Sequence, residues 1–378
     1  MKDVETPLPG LYIHIPFCAT RCTYCDFVSF TDTSLIPAYI RALPREIEAY
    51  REIFPSFDTI YLGGGTPSLL AMGQVEAILH GVCRTFVIPA DAEITIEVNP
   101  ADWGLTELST LRATGVNRLS MGVQSLDDGE LAFLGRRHTA RQAMDSVDDA
   151  RSAGFENISI DLIYGLPDQP IEAWERTLVQ AVRLEPEHLS CYGLEIKPGT
   201  PLGLRCGRSG CNLHTEDEER AFFVKTSEFL QGAGYTHYEI SNFARGMGRA
   251  SRHNRKYWDH TPYLGLGPSA HSFMMASRWW NHGSLSDYLD DLEHGRRPVA
   301  GREELTTDQL AMEALFLGLR TTQGIDLDRY HSRYGIDLIK ERGPFIEELA
   351  GQGLLEIQGG FIRPTLAGMA VSDSLALL

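Results

Sequence analysis

The chain has 378 residues, with 34 Lys and Arg against 51 Asp and Glu and a formal net charge of −17. This acidity disfavours nucleic acid or anionic lipid as a partner. The length allows one large domain and a smaller one, and no apolar run is long enough to span a membrane. An odd number of cysteines, seven, and the lack of an apolar signal-peptide core at the start predict a reducing, cytoplasmic location.

A cysteine cluster follows the first predicted strand, Leu11 to Ile15. Cys18, Cys22 and Cys25 have the spacing C-x3-C-x2-C, and soft thiolate ligands favour an iron–sulfur cluster, zinc or cuprous copper. A structural zinc ion normally has four protein ligands, and no fourth ligand is obvious nearby. Three ligands on a four-iron cluster leave one iron open, and an open position is where a substrate usually binds.

Six predicted strands alternate with amphipathic helical segments as far as about residue 194. The strands are predicted at residues 11–15, 59–62, 93–98, 118–123, 157–163 and 188–194. This alternation is typical of a parallel sheet with helical crossovers, and six units are too few for a closed eightfold barrel. Cys18–Cys25, Gly63–Pro67, Glu97, Gln124 and Gly165–Pro167 all fall at or just after strand ends. In parallel β/α folds, ligands bind at that rim.

The remaining chain is predicted to form two further regions. Residues 1–200 are the strand–helix domain, 201–300 a less regular extension, and 301–378 a winged-helix-like domain ending in a hairpin at Gly359–Gly360. The last region carries 7 Lys and Arg against 12 Asp and Glu, a net charge of −5. A structural or partner-docking role therefore fits it better than DNA binding.

The cysteine motif resembles a known superfamily. With Tyr24 before the last cysteine, it is similar to the cluster loop of radical S-adenosylmethionine (SAM) proteins. The wider string YIHIPFC-x3-C-x-YCDF resembles the branch that contains the oxygen-independent coproporphyrinogen oxidase and a related haem chaperone. The resemblance implies that the three cysteines bind a 4Fe–4S cluster, that SAM chelates the fourth iron, and that the fold is an open, partial (β/α)6 barrel with the smaller domain after it.

The same resemblance implies residues that contact SAM. The glycine run resembles the GGxTP element that holds the methionine amino group, and other positions match SAM contacts of the oxidase pattern. The implied and candidate contacts are Tyr12, Gly64, Gly65, Thr66, Glu97, Gln124, Arg136 and Asp161. Asp161 is a candidate because an acid within an apolar strand needs a partner. The alternatives are a solvated strand-end carboxylate for Glu97, a helix-surface role for Arg136 and a core position for Tyr12.

A second motif, His253-Asn254-Arg255-Lys256-Tyr257-Trp258, predicts haem binding. Imidazole is a common axial haem ligand, and the aromatic rings offer apolar area to a macrocycle. The alternative is a hydrogen-bonded structural histidine. The string resembles the HNxxYW motif of the haem-chaperone branch, which implies His253 as the haem residue, with Tyr257 and Trp258 as weaker candidates. His271 and Tyr263 are weaker still.

Two functions remain open at this stage. The oxidase pattern has a further cysteine two residues after the third one, where this chain has Phe27, and the oxidase has a longer N-terminal segment than the ten residues that precede the first strand here. With HNRKYW, these differences favour a haem chaperone that carries the cluster and SAM over a coproporphyrinogen III oxidase. The expected partners are haem-accepting apoproteins, respiratory-chain haemoproteins among them, and an electron donor; a homodimer is allowed. Cys206 and Cys211 are interpreted as loop thiols.

Overall fold

The computed structural model describes residues 7–375. The segment 1–6, where the sequence predicts no signal-peptide core, and residues 376–378 lie outside this range. Six parallel strands form the centre of the sheet in chain order. They are β1 (Gly10–Ile15), β2 (Thr59–Gly64), β3 (Glu93–Val98), β4 (Arg118–Gln124), β5 (Ile158–Tyr164) and β6 (His188–Gly193). Every strand begins and ends within two residues of its predicted position.

Helices connect these strands as crossovers. They are α1 (Ile36–Ala49), α2 (Met72–Thr85), α3 (Leu105–Ala113), α4 (Asp128–Leu134), α5 (Ala140–Ser152) and α6 (Ile171–Arg183). Helix α4 was not predicted because it is only seven residues long. It is delimited by Asp127, whose carboxylate accepts from the N–H groups of Gly129 and Glu130, and by Gly135 in the left-handed conformation (φ 74°).

The two-residue period of β1 separates core from site. Leu11, Ile13 and Ile15 are fully buried in the apolar core that α1 shares. Tyr12 and His14 point to the opposite face, where the Tyr12 hydroxyl lies 3.0 Å from His14 Nδ1. This inner face of the curved sheet is here called the lumen. The first half of the chain is thus the open, partial barrel that the sequence predicts.

The region from 201 to 304 continues the same sheet at both edges. It contains α7 (Pro201–Ser209), α8 (Glu216–Gly232), β7 (Thr236–Glu239), β8 (Asn242–Ala244), α9 (Arg252–Trp258), β9 (Tyr263–Leu266), β10 (His271–Met274), β11 (Ser277–Asn281), α10 (Leu285–Glu293) and β12 (Val299–Glu304). Strand β9 pairs parallel to β1, β8 pairs antiparallel to β6, and the sheet of twelve strands ends at β12 and β7. The sequence predicted a less regular region because these strands are too short to show a clear alternation.

The interpretation of Cys206 and Cys211 as loop thiols was wrong. The two residues form a disulfide, with Cα atoms 4.9 Å apart. Cys206 lies in α7, and Gly210 after the helix adopts φ 71°, which turns the chain so that Cys211 comes back beside it. The remaining five cysteines of the chain are free.

The C-terminal region has its own small apolar core. Its elements are α11 (Thr307–Gly318), β13 (Ile325–Asp326), α12 (Leu327–Tyr334), α13 (Leu338–Gly351), β14 (Leu355–Gln358), β15 (Phe361–Pro364), α14 (Leu366–Met369) and α15 (Ser372–Leu375). Helix, strand, two helices and a hairpin follow each other as in winged-helix folds. The predicted hairpin turn Gly359–Gly360 is confirmed, with φ values of 60° and 81°, which two-residue turns of type I′ require. Within residues 7–375, no helix combines the length and apolarity needed to cross a membrane.

A substitution at Gly267, just after β9, tests how closely the edge strands pack on β1. It adopts φ 96°, and a Cβ atom there would lie 2.5 Å from the carbonyl oxygen of His14. We expect Gly267→Ala to lower the free energy of unfolding by about 2 kcal/mol or more, because backbone strain and a clash add. The measurement is the urea midpoint by circular dichroism. Gly73→Ala in α2 meets no atom within 4 Å and is the control, with no loss expected. Equal midpoints for both variants would contradict the close packing.

Candidate cluster and cofactor site

The cysteine loop crosses the rim where the parallel strands end. Cys18, Cys22 and Cys25 line one cavity of about 540 Å³. The loop is fixed at several points by backbone hydrogen bonds, from Cys18 N–H to the Phe30 carbonyl (3.0 Å) and from Cys25 N–H to the Cys22 carbonyl (3.3 Å). Thr23 Oγ1 donates to the carbonyl of Leu134 in α4 (3.2 Å). The three cysteines therefore line the same space on a loop that is held by hydrogen bonds.

The three cysteines can be compared with the metal groups that their spacing allows, namely an iron–sulfur cluster, zinc and cuprous copper. In the part of the chain that the structure describes, no three His, Cys, Asp or Glu side chains are close enough to hold one metal ion. A cluster places each cysteine on a different iron, so its ligands stand farther apart than the ligands of a single ion. Three soft thiolate donors on the wall of one cavity fit the ligand set of an iron–sulfur cluster, which is held by cysteine thiolates.

The glycine run at the end of β2 is shaped by a histidine that the sequence analysis did not assign. Gly64 adopts φ 113°, and a Cβ atom on it would lie 2.5 Å from His14 Nδ1. Its N–H donates to Glu97 Oε2 (3.0 Å), and the Gly65 N–H donates to the Ile15 carbonyl (2.8 Å). Glycine is thus required for close packing, and the exposed backbone of Gly64 and Gly65 lines the cavity.

Two neighbours of the glycine run contact the cysteine sulfurs. Thr66 Oγ1 donates to Cys18 Sγ (3.5 Å), and Arg136 Nη1 donates to Cys22 Sγ (3.2 Å). Arg136 also donates to the Gly122 carbonyl (2.8 Å). Its guanidinium is thus directed into the cavity, where its positive charge can balance thiolates, rather than along a helix surface.

Two carboxylates face the cavity from adjacent parts of the lumen. Glu97 accepts from the Tyr61 hydroxyl (2.9 Å) as well as from Gly64, and burial, followed by the charge of Asp161, raises its pKa to about 7. Asp161 accepts from the Ser120 hydroxyl (3.2 Å), and burial raises its pKa as well. The hydrogen-bond donors are neutral and the charge of Arg118 offsets the burial only in part, so a cationic ligand would stabilise both carboxylates further. The ammonium and sulfonium groups of SAM have that charge.

Gln124 lies at an irregularity in the pairing of β4 with β5 and adopts φ 69°. Its Oε1 atom is buried and has no hydrogen-bond partner within residues 7–375. Because a buried polar atom without a partner costs free energy, this carbonyl is a candidate contact for a bound molecule. Backbone strain in a non-glycine residue at a ligand-binding rim also indicates that Gln124 contacts a bound molecule.

Tyr12 is the one predicted SAM contact that does not line the cavity. It lies deeper in the lumen, with its ring centroid 6.1 Å from that of Tyr61 and 6.5 Å from that of His253. Tyr12 reaches the site only indirectly, because its hydroxyl contacts His14 Nδ1. The other ring nitrogen of His14, Nε2, lies 2.9 Å from the Val28 carbonyl. Tyr12 therefore lies inside the barrel behind the cavity wall, on the lumen face and outside the apolar core of Leu11, Ile13 and Ile15.

The HNRKYW motif forms helix α9, which closes the opposite end of the lumen. The N–H groups of Arg252 and His253 donate to the two oxygens of Glu93 at the start of β3 (3.0 Å each). His253 is 1% exposed; its Nδ1 lies 2.9 Å from Thr59 Oγ1 and its Nε2 lies 2.9 Å from the Tyr257 hydroxyl. Burial lowers its pKa to about 3, so the imidazole is neutral. Both ring nitrogens therefore have partners inside the protein.

The other aromatic residues of the motif differ from His253. The Tyr257 ring meets the Tyr263 ring edge-on, with centroids 4.7 Å apart, and Tyr257 lines a second cavity outside the lumen. Trp258 is partly exposed, and its Nε1 is buried without a hydrogen-bond partner among the described residues. The sequence could not show that His253 faces the lumen while Tyr257 lines the second cavity, because this depends on which side of a short helix faces the sheet.

Sequence reasoning missed the residues that support the site from within the lumen. His14 and Tyr61 shape the glycine run and Glu97, and Arg118 is a fully buried arginine at the start of β4. The sequence contained part of this information, because His14 and Tyr12 are two residues apart in a strand and must lie on the same face of the sheet. For Arg118, a charge at the start of an apolar strand was the only hint.

Comparison with known proteins gives the following similarities. The family model described as Radical SAM superfamily matches residues 12–181, and that of the HemN C-terminal domain matches residues 305–371. The chain is 35% identical to heme chaperone HemW of Bacillus subtilis (97% of this chain, 98% of the relative) and 35% identical to heme chaperone HemW of Mycobacterium tuberculosis (98% and 95%). The solved structure of coproporphyrinogen III oxidase (HemN) from Escherichia coli, described as a radical SAM enzyme, is similar with a TM-score of 0.86 and 26% identity (98% and 90%).

The titration of Glu97 gives a prediction for the protein without bound cofactors. Its pKa of about 7 lies above the ordinary 4.5, so the folded state holds the proton more tightly than the unfolded state. The stability this contributes is present at low pH and is lost as the pH rises towards about 7. Relative to Glu97→Gln, which does not titrate, the wild type should lose about 1–3 kcal/mol of unfolding free energy between about pH 5 and pH 8.

The measurement is urea unfolding of both proteins across that pH range. Glu76→Gln, which alters an exposed glutamate on α2, is the matched control and should follow the wild type. A difference between wild type and Glu97→Gln that stays constant with pH would count against the buried titration.

Proposed function

The chain belongs to the radical SAM superfamily and, within it, to the family of the heme chaperone HemW proteins, and on this premise we propose that it binds haem and delivers it to acceptor haemoproteins. The observation that carries the proposal is the similarity to these chaperones along almost the whole chain, at 35% identity. The acceptor is a haem-free protein with its own axial ligands, because transfer requires a site that holds iron more tightly. Respiratory-chain haemoproteins are candidates.

We propose that the rim of the lumen holds a 4Fe–4S cluster and SAM. Cys18, Cys22 and Cys25 would be the cluster ligands, and the bound cluster would supply an electron to SAM. Arg136 donates to Cys22 Sγ and so places a positive charge beside the proposed cluster ligands. An electron-donor protein would then be a second partner.

The proposed SAM contacts follow from charge and from unsatisfied groups. Glu97 and Asp161 would face the cationic groups of SAM, and the buried Oε1 of Gln124 would accept from it. Gly64, Gly65 and Thr66 would supply polar backbone and hydroxyl atoms on the cavity wall. Tyr12 would act indirectly, by orienting His14 behind the glycine run.

The hydrogen bonds of His253 restrict how the HNRKYW motif can contribute an iron ligand. His253 Nε2 can reach an iron atom only after its bond to the Tyr257 hydroxyl has opened. We therefore propose that the motif contributes to haem binding chiefly through Tyr257 and Trp258, with His253 holding Tyr257 in place. Direct ligation by His253 requires Tyr257 to move.

The alternative function is oxygen-independent oxidation of coproporphyrinogen III, which the similarity to HemN favours. Phe27 weighs against it. This side chain occupies the position of the further cysteine in the oxidase pattern, lines the cluster cavity and is 64% exposed. A phenyl group offers no sulfur ligand or acid–base group, so the chaperone remains the better proposal.

A cytoplasmic location remains part of the proposal. Free thiols that must stay reduced to bind iron support a reducing compartment, and five of the seven cysteines are free. The Cys206–Cys211 disulfide is the exception, since such bonds are rare in the cytosol.

Cluster binding is tested by replacing the three loop cysteines with alanine. After anaerobic reconstitution, we expect the wild type to hold about four irons and four sulfides and the triple variant to hold almost none, because no thiolate remains at the rim. Iron and sulfide analysis with absorbance spectra measures this. Cys83→Ala, which removes a thiol on α2, should keep the full content. Equal iron in the triple variant would remove the cluster assignment.

Function is tested by two parallel anaerobic assays of the reconstituted protein. In the first, haem-loaded protein is mixed with a haem-free cytochrome, and the acceptor's absorbance spectrum should appear faster than with free haem at the same concentration. In the second, coproporphyrinogen III, SAM and a reductant are supplied, and no protoporphyrinogen IX is expected. Product formation over many turnovers, without haem transfer, would establish the oxidase instead.

A further inference from the structure

The Cys206–Cys211 disulfide lies in a segment that borders the cysteine loop. Cys206 is near the end of α7, and Cys211 follows the turn at Gly210, so the two residues are separated by only 5 positions in the sequence. A ring this short restricts the unfolded chain little and therefore contributes little to global stability. The bond is better explained by what it holds together locally. Residues 201–214, which include both cysteines, are here called the clasp.

Helix α7, on the Cys206 side of the bond, is attached to the cysteine loop. The Leu202 N–H, in the first turn of α7, donates to the carbonyl of Thr23 in that loop (2.8 Å). The Arg205 guanidinium lies over the Phe133 ring, 4.5 Å from its centroid, and Phe133 belongs to the helix α4 that also contacts Thr23. A shift of α7 would therefore act directly on the loop that carries the three free cysteines.

The segment on the Cys211 side is attached to a different part of the rim, the loop that follows β5. The Asp168 N–H donates to the Asn212 carbonyl (3.3 Å), and Asn212 Nδ2 donates to Asp168 Oδ1 (2.8 Å). His214 Nε2 lies 2.9 Å from the Leu166 carbonyl. Asp168 adopts φ 60°, a region that few residues other than glycine occupy, so these contacts help to hold the loop in its conformation.

The disulfide thus connects two segments that each hold one loop of the rim. The two loops also pack on each other, because Leu166 and Tyr24 belong to one small apolar cluster with Ile163, which lines the cofactor cavity. Between the two cysteines, packing contributes nothing: a Cβ atom on Gly207 or on Gly210 would meet no atom within 4 Å. The covalent bond is therefore the main constraint on the turn of the clasp.

The position of the bond suits a reversible reaction. Both cysteines are half-buried, and the side chains of Arg205 and Arg208 beside them are exposed, so a redox partner can reach the sulfurs. Positive charges near a thiol favour the thiolate, which is the species that exchanges with disulfides. The other five cysteines are free. Where a reducing compartment keeps thiols free, a disulfide is usually transient and redox-sensing.

We propose that Cys206 and Cys211 are a reversible redox site that controls how firmly the rim is held. A protein dithiol supplies two electrons and two protons. Its thiolate attacks one sulfur, the S–S bond breaks through a mixed disulfide, and both cysteines are released as thiols while the reductant becomes a disulfide. Glutathione disulfide reverses the reaction by the same exchange. Reduction releases the clasp, so the cysteine loop and the loop after β5 open more often.

The redox reaction is tested in the full-length protein with thioredoxin as the dithiol. Free thiols are alkylated, and mass spectrometry of the peptides that contain Cys206 and Cys211 gives the fraction of the disulfide. We expect thioredoxin to reduce the pair and glutathione disulfide to restore it. A pair that stays bonded in the presence of reduced thioredoxin, or that never forms a bond with glutathione disulfide, overturns the redox site.

The effect on the rim is tested by amide hydrogen exchange of the anaerobically reconstituted protein. Peptides that cover residues 18–27 and 165–169 should exchange at least about threefold faster after reduction. The double variant Cys206→Ser, Cys211→Ser should exchange at the faster rate under both conditions. Cys83→Ser, which removes an exposed thiol on α2, is the matched control and should respond as the wild type does.

A consequence for cofactors rests on the cluster binding proposed above. The reduced wild type and the double serine variant should lose iron to a chelator faster than the oxidised wild type, because the ligand loop opens more often. Equal hydrogen exchange in the oxidised and reduced protein would overturn control of the rim and leave the cluster proposal standing. A protein that holds no cluster but shows the exchange difference would instead remove the cluster proposal alone.

Discussion

The structure depends on one geometric constraint, the parallel pairing of β1 to β6. Parallel strands bring all their carboxyl ends to one edge, and their two-residue pleat sends alternate side chains into the lumen. The cysteine loop, the glycine run, Glu97, Gln124 and Asp161 therefore meet in one cavity although they span most of the first half of the chain. A single antiparallel strand among the six would have sent its loop to the other end.

This constraint explains what the sequence could predict. Residues placed directly after a long apolar strand were assigned to the rim correctly, because only strand order and direction were needed. Arg136 was harder to place, since its approach to Cys22 depends on the short helix α4 and its terminal glycine. The edge strands, the Cys206–Cys211 disulfide and the buried position of His253 depend on contacts between distant segments, for which a local pattern carries no signal.

The lumen joins the two ends of the barrel through a column of aromatic and polar side chains. The Tyr61 hydroxyl donates to Glu97 at the rim, and its ring lies 5.2 Å from that of His253 between centroids. His253 contacts the Tyr257 hydroxyl, and Tyr257 lines the second cavity. A molecule bound at either end thus contacts one continuous packed column. Such a column provides a physical route for coupling, and measured coupling between SAM and haem binding is what would give it functional meaning.

The C-terminal domain acquires a role from this arrangement. Its winged-helix order suggests DNA binding, but its net charge of −5 opposes a phosphate backbone. Helix α11 instead provides the roof of the second cavity, and Tyr334 of α12 lies beside His260 Nδ1. The edge strands alone would expose the aromatic side chains of this sheet face to water, and an exposed apolar patch of that kind is costly and prone to association. Because α11 packs over Tyr263 and Phe273, it shields them, so the C-terminal domain completes the burial of the edge strands.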